Sequence, residues 1–162
     1  MTDPNTKSVN RRTALVHLVM LASSCVPALA QTSKKGPLHG LKAVTYKSPT
    51  CGCCSGYVDY LKAEGVKVEV RLRDDTALDQ LKTKLGVPPE ARSCHVTTMA
   101  GYIIEGHVPP EALLRLLQQK PRVTGIALPG MPIGVPGMPG PKTEPYRVVS
   151  FTGSKIQAFM TV

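Results

Sequence analysis

Three of the chain's five cysteines fall within four residues, Cys51-Gly52-Cys53-Cys54, and a fourth, Cys94, stands directly before His95. Thiolates are both the nucleophiles of disulfide exchange and the preferred ligands of soft metal ions, so such a cluster either exchanges disulfides or binds metal. Either role constrains the fold. Cys94 lies 40 residues beyond Cys54 and can join the cluster only where the topology brings a second loop to the first.

The N-terminus reads as an export signal covering residues 1–30. Lys7, Arg11 and Arg12 form a positive start, and Ala14 to Cys25 is largely apolar, with two serines near its end. Ala28-Leu29-Ala30 then offers a small-x-small cleavage site with Gln31 as the first mature residue. The apolar run is shorter than the roughly 20 residues of a membrane span, and no other segment approaches that length, so no stable membrane insertion is expected once the signal is removed. A retained anchor is the alternative. The expected compartment is the periplasm, reached by the Sec route or, given Arg11-Arg12, the twin-arginine route. Ala22-Ser23-Ser24 is a poor lipobox, which leaves lipid modification of Cys25 a minor alternative.

Removal of the signal takes Lys7, Arg11 and Arg12 against Asp3 and lowers the formal charge from +9 to +7. The remaining charge is scattered among acids, there is no Trp, and no basic run carries interleaved aromatics, so nucleic acid is not an expected partner. Export leaves Cys51, Cys53, Cys54 and Cys94 as the mature thiols. In an oxidising compartment they pair or are occupied by metal. A structural disulfide with two spare cysteines is the plain alternative, and it is disfavoured because adjacent and near-adjacent cysteines do not easily bridge one another.

Residues 31–40 are polar and rich in Gly and Lys, a flexible lead-in to one domain over 41–162. Leu41 to Tyr46 is an expected strand, and Ser48-Pro49-Thr50 turns the chain into the cysteines. Ser55 to Glu64 is helical, with Gly65 as its cap. Val66 to Val70 alternates as a strand, and Asp74-Asp75-Thr76 caps a helix to Leu85 with Leu78, Leu81 and Leu85 on one face. Val96 to Met99 and Tyr102 to Ile104 form a hairpin, and Pro109-Pro110-Glu111 opens a helix through Gln119. The order β-α-β-α-β-β-α predicts an α/β, thioredoxin-like fold: a central mixed sheet with flanking helices. Residues 129–145 are a Pro/Gly/Met-rich loop in which Pro129-Gly130-Met131-Pro132 recurs as Pro136-Gly137-Met138-Pro139. No helix is possible there. A last hairpin, Tyr146 to Phe151 and Lys155 to Met160, ends the domain.

A C-x-x-C, Cys51 to Cys54, stands at a strand end and a helix start, where free N–H groups and the helix dipole lower a thiol's pKa. Cys53 is unusual there: it would scramble a simple exchange reaction, but it adds a ligand to a metal site. With the Val96 strand antiparallel beside the Val44 strand, Cys94 and His95 face the Cys51–Cys54 turn. Four thiolates can hold Zn²⁺, whereas sulfur-rich, adjacent cysteines suit bridged Cu(I) and hence more than one ion. Met131 and Met138 add thioether sulfur, unless they merely pack on the core. His95 is the favoured histidine; His107, beside Glu105, is read as a surface or helix-capping residue ahead of a ligand.

Together, strand–CGCC–helix, Cys94-His95, the run Gly101-Tyr102-Ile103-Ile104-Glu105-Gly106-His107-Val108-Pro109 and Pro129-Gly130-Met131-Pro132-Ile133-Gly134 closely resemble the DUF411 family of exported, CopG-type copper-resistance proteins, over Leu41 to about Pro145. The resemblance implies a thioredoxin-like fold with a polynuclear copper–thiolate cluster on Cys51, Cys53, Cys54, Cys94 and His95. It also implies a part in copper tolerance, with Cu(I)/Cu(II) redox cycling proposed for the family; other periplasmic copper-handling proteins are candidate partners beside copper itself. A thiol–disulfide oxidoreductase and a Zn²⁺-stabilised structural module are the competing readings.

Overall fold

A computed structural model describes residues 36–162; the expected export signal, Cys25 and the first half of the lead-in lie outside the described residues. The described chain is mixed α/β. Strands β1 (Lys42–Lys47), β2 (Lys67–Leu72), β3 (Val96–Met99), β4 (Tyr102–Glu105), β5 (Gly125–Ala127), β6 (Arg147–Thr152) and β7 (Lys155–Thr161) form one sheet in the order β2-β1-β3-β4-β5-β6-β7. Helices α1 (Gly52–Ala63), α2 (Asp75–Lys84) and α3 (Pro110–Gln119) make the crossovers. Pairing of β1 with β2 is parallel, and β3 is antiparallel to both β1 and β4. This is the βαβ unit plus hairpin that the sequence predicts.

Local chemistry accounts for the element ends. Asp74 caps α2 by accepting the Ala77 N–H at 2.8 Å. Ala100 and Gly101 turn the β3–β4 hairpin with φ of 51° and 84°, the pair of positive values a two-residue primed turn needs. The helix α1 starts three residues before the expected Ser55, because Cys51 itself serves as its N-cap. Strand β5 is absent from the sequence reading: three residues, Gly125–Ala127, are too few for a periodic signal, yet they pair with β4 in parallel and with β6 in antiparallel fashion. Gly125 is obligatory there, since a Cβ would lie 2.1 Å from the Ile103 carbonyl oxygen. Between Gly36 and Gly40 the chain makes a turn that buries Leu38.

Two apolar clusters cover the two faces of the sheet. Neighbouring residues such as Ile103 and Ile104, or Ile126 and Ala127, fall in different clusters, as strand alternation requires. Tyr57 and Leu61 of α1 and Leu113 and Leu116 of α3 meet Ile104 and Ile126 in the larger one. Leu78 of α2 joins Val96, Ala127 and Phe151 in the smaller. At the sheet's outer edge the cover runs out, leaving Val70 and Leu72 of β2 exposed. Among the described residues no helix is long and apolar enough to cross a membrane.

Candidate metal centre

The register Tyr46↔Val96 puts the end of β1 beside the start of β3, so the residues just after one strand meet those just before the other. Beyond β1 a turn closed by Cys51 N–H on the Ser48 carbonyl (3.2 Å) leads into α1, where Cys51 Sγ accepts the Cys54 N–H at 3.3 Å. Just before β3 stands Cys94. The sulfurs of Cys51, Cys53, Cys54 and Cys94 all lie within 4.8 Å of one another.

Cys51 and Cys54 are joined as a disulfide, their Cα atoms 5.4 Å apart, while Cys53 and Cys94 are free thiols. The expectation that near neighbours do not bridge fails here for a geometric reason. The first turn of a helix brings residues three apart within the Cα spacing a disulfide spans. Cys53 Sγ stands 3.5 Å from Cys51 Sγ and 4.0 Å from Cys94 Sγ, and thus links the disulfide to the second loop. Burial, then the nearby Cys53, pushes the Cys94 thiol up to about 11, so it carries a proton at neutral pH that a metal would have to displace.

Histidines form the inner wall. His107 is fully buried, which corrects its reading as a surface or capping residue. The Pro136 carbonyl can only accept, so the 2.7 Å contact fixes His107 Nδ1 as the protonated nitrogen and leaves the Nε2 lone pair directed at Cys94 Sγ, 3.2 Å away. His95 Nδ1 lies 3.3 Å from the same sulfur, whereas its buried Nε2 has no partner among the described residues. Burial holds both imidazoles below their ordinary pKa and keeps them neutral, the form that ligates metals. Tyr57 packs on both rings, with centroids at 4.8 and 5.4 Å, and donates its hydroxyl to the Val108 carbonyl at 3.1 Å. Cys94, His95 and His107 thus form a second group of potential metal donors that shares Cys94 with the four sulfurs.

The Pro/Gly-rich loop closes over this wall by backbone contact. A Cβ on Gly137 would stand 2.4 Å from Tyr57 N and 2.8 Å from the Cys53 carbonyl oxygen, so only glycine fits against the first turn of α1. Met138 is half-buried against the larger cluster, while Met131 is exposed. The repeat therefore places its two methionines in different surroundings.

Sequence periodicity missed a buried ion pair beneath Cys94. Lys82 falls four residues after Leu78, on the buried face of α2, and its Nζ sits 2.7 Å from Glu105 Oε1. Burial pushes Glu105 up to about 7 against the pull of Lys82. A signal was available: a lysine in the apolar stripe of an amphipathic helix implies a buried acidic partner. A cleft of about 340 Å³ lined by Cys51, Cys94, Lys82, Ser93, Asp75 and Asp79 opens beside the sulfurs.

No curated protein matches the chain. A family model described as a protein of unknown function, DUF411, matches residues 91–138, the stretch that carries Cys94, His95, His107 and both methionines of the repeat. Two solved structures of a copper resistance protein, CopG, are similar. Form 2 is 35% identical, with a TM-score of 0.68, over 75% of this chain and 98% of that one. Form 1 is 34% identical, with a TM-score of 0.67, over 75% and 97%. Identity at this level over nearly the whole of the solved chains, together with the family match across the second loop, means that the chain belongs to the DUF411 family of CopG-type copper resistance proteins.

Proposed function

We propose that this is a periplasmic copper-binding protein whose four cysteines, once reduced, hold more than one Cu(I) through bridging thiolates, contributing to copper tolerance by sequestration. The observation that carries this reading is the convergence of four sulfurs from two loops within 4.8 Å. A protein that used only a C-x-x-C disulfide would have no need of Cys53 and Cys94 at 3.5 and 4.0 Å from their neighbours. Sulfur-rich donor sets favour Cu(I). The Nε2 atom of His107 supplies a harder donor at the edge of the same site, which suits Cu(II) and makes cycling between the two oxidation states chemically reasonable. A backbone carbonyl behind a ligating imidazole is the usual way of orienting it, and Pro136 stands in that position.

Copper is the cargo, and the disulfide governs how much can be loaded. With Cys51 and Cys54 oxidised, only Cys53 and Cys94 remain as thiols among the described residues; two electrons and two protons convert the disulfide into two more. The same disulfide favours a second reading, a thiol–disulfide oxidoreductase acting on proteins, with half-exposed Cys51 as the sulfur open to attack and buried Cys54 as its partner. Protein purified from copper-supplemented cells and subjected to metal analysis with a thiol count separates the two. Several coppers per chain support the first reading; metal-free protein with strong insulin-reductase activity supports the second.

A further inference from the structure

We propose that the buried Lys82–Glu105 ion pair is a clamp on the Ser93 peptide that fixes where Cys94 presents its sulfur, which makes Lys82 and Glu105 positioning residues of the metal site. The inference rests on the copper-binding reading and adds to it the residues that hold the fourth sulfur in reach.

The pair is a costly feature. Both side chains are withdrawn from water, and well-packed apolar residues would serve α2 and β4 at least as well, since such replacements are often neutral or stabilising. Its hydrogen bonds show where the cost is recovered. Glu105 Oε1 accepts the Ser93 N–H at 2.7 Å, and Lys82 Nζ donates to the Ser93 carbonyl, so one residue is held at both backbone polar atoms by the two members of one ion pair. The Ser93 hydroxyl donates to the Gly130 carbonyl at 2.6 Å. From the other side Gly106 approaches so closely that a Cβ would lie 2.6 Å from Ser93 Cβ, while its N–H donates to the His95 carbonyl at 2.9 Å. Both residues flanking Cys94 are therefore tied down, and Cys94 Sγ is left at 4.0 Å from Cys53 and 3.2 Å from His107. A purely structural ion pair would not need to spend its donors and acceptor on the residue before a ligand.

The test is the double replacement Lys82→Met with Glu105→Leu, which removes the clamp but fills the space, compared with Glu105→Gln, which keeps an acceptor for Ser93 N–H. Two readouts are taken on reduced protein: competitive Cu(I) titration against a chelator, and the alkylation rate of Cys94 relative to Cys53 by iodoacetamide in metal-free protein. The double variant should stay folded with a thermal midpoint near wild type. It should nevertheless lose about tenfold in Cu(I) affinity, the scale expected when a group that orients a metal ligand is removed, and its Cys94 should alkylate faster relative to Cys53. Glu105→Gln should keep the wild-type alkylation ratio. Wild-type affinity and alkylation ratio in the folded double variant would overturn the clamp, as would loss of the wild-type ratio in folded Glu105→Gln, which would locate the effect in charge. Should the double variant not fold, Lys82→Met alone removes the bond to the Ser93 carbonyl and is read in the same two ways. Wild-type protein that takes up no Cu(I) would refute the copper reading, while the alkylation ratio would still decide the clamp.

Discussion

Gly137 is where the Pro/Gly-rich loop is committed to the site, and Gly137→Ala should be among the most damaging small substitutions in the chain. Two costs add. The residue sits at φ +83°, and a side chain in the left-handed region costs about 1–2 kcal/mol. The new Cβ would also lie 2.4 Å from Tyr57 N and 2.8 Å from the Cys53 carbonyl oxygen, both backbone atoms of a helix that cannot yield cheaply. Overpacking of this kind adds about 1–3 kcal/mol, for about 2–5 in total. Gly153→Ala is the control, because Gly153 also has positive φ, +55°, but nothing lies within 4 Å of its Cβ position. Urea unfolding of the two variants isolates the close approach. Gly137→Ala should be less stable than Gly153→Ala by the overpacking cost, and it should weaken Cu(I) binding by drawing the Pro136 carbonyl away from His107. Equal stabilities would refute the argument that the loop is held by backbone contact with α1.

Four further outcomes are expected. Cys53→Ser keeps the Cys51–Cys54 disulfide but removes the sulfur between it and Cys94, so dithiol exchange should survive while Cu(I) stoichiometry falls in a chelator titration. Cys94→Ala should remain folded, at a cost of about 1–2 kcal/mol, yet release or remodel bound Cu(I); unchanged copper affinity would make this cysteine mere packing. His107→Ala leaves the Pro136 carbonyl without its donor, which should cost about 1–3 kcal/mol in thermal unfolding and weaken Cu(II) more than Cu(I). Glu105 is raised in the fold from its ordinary 4.5 to about 7, so the folded state holds its proton more tightly. Its contribution is complete below pH 4.5 and is lost as pH rises through about 7, a slope that Glu105→Gln should flatten in pH-dependent unfolding.

The parts of the fold set by period and punctuation were legible in the sequence. Leucine spacing and capping by Asp74 placed α2, alternation placed β1 and β2, and the order of elements placed Cys94 opposite the Cys51–Cys54 turn. What escaped was what neighbours decide. The helix α1 starts at Gly52 because Cys51 Sγ accepts the Cys54 N–H, a role for which cysteine gives no propensity signal. Strand β5 exists through its pairing partners alone. His107 looked peripheral because it follows an acid and precedes a helix, yet it is buried by the Pro136 loop, which arrives from 29 residues further on. Lys82 was legible in principle, as a cation inside a leucine stripe, but its partner Glu105 could be identified only once β4 lay beneath α2.

Reduction should turn this constellation into a multi-copper thiolate site. An anaerobic Cu(I) titration tests that step, with thiolate-to-copper charge transfer followed on the protein with Cys51–Cys54 oxidised and again after reduction. Reduced protein should take up more than one Cu(I) per chain, with oxidised protein taking up less. Equal uptake in the two states, or a stoichiometry of one Zn²⁺ with no copper bound, would contradict the account.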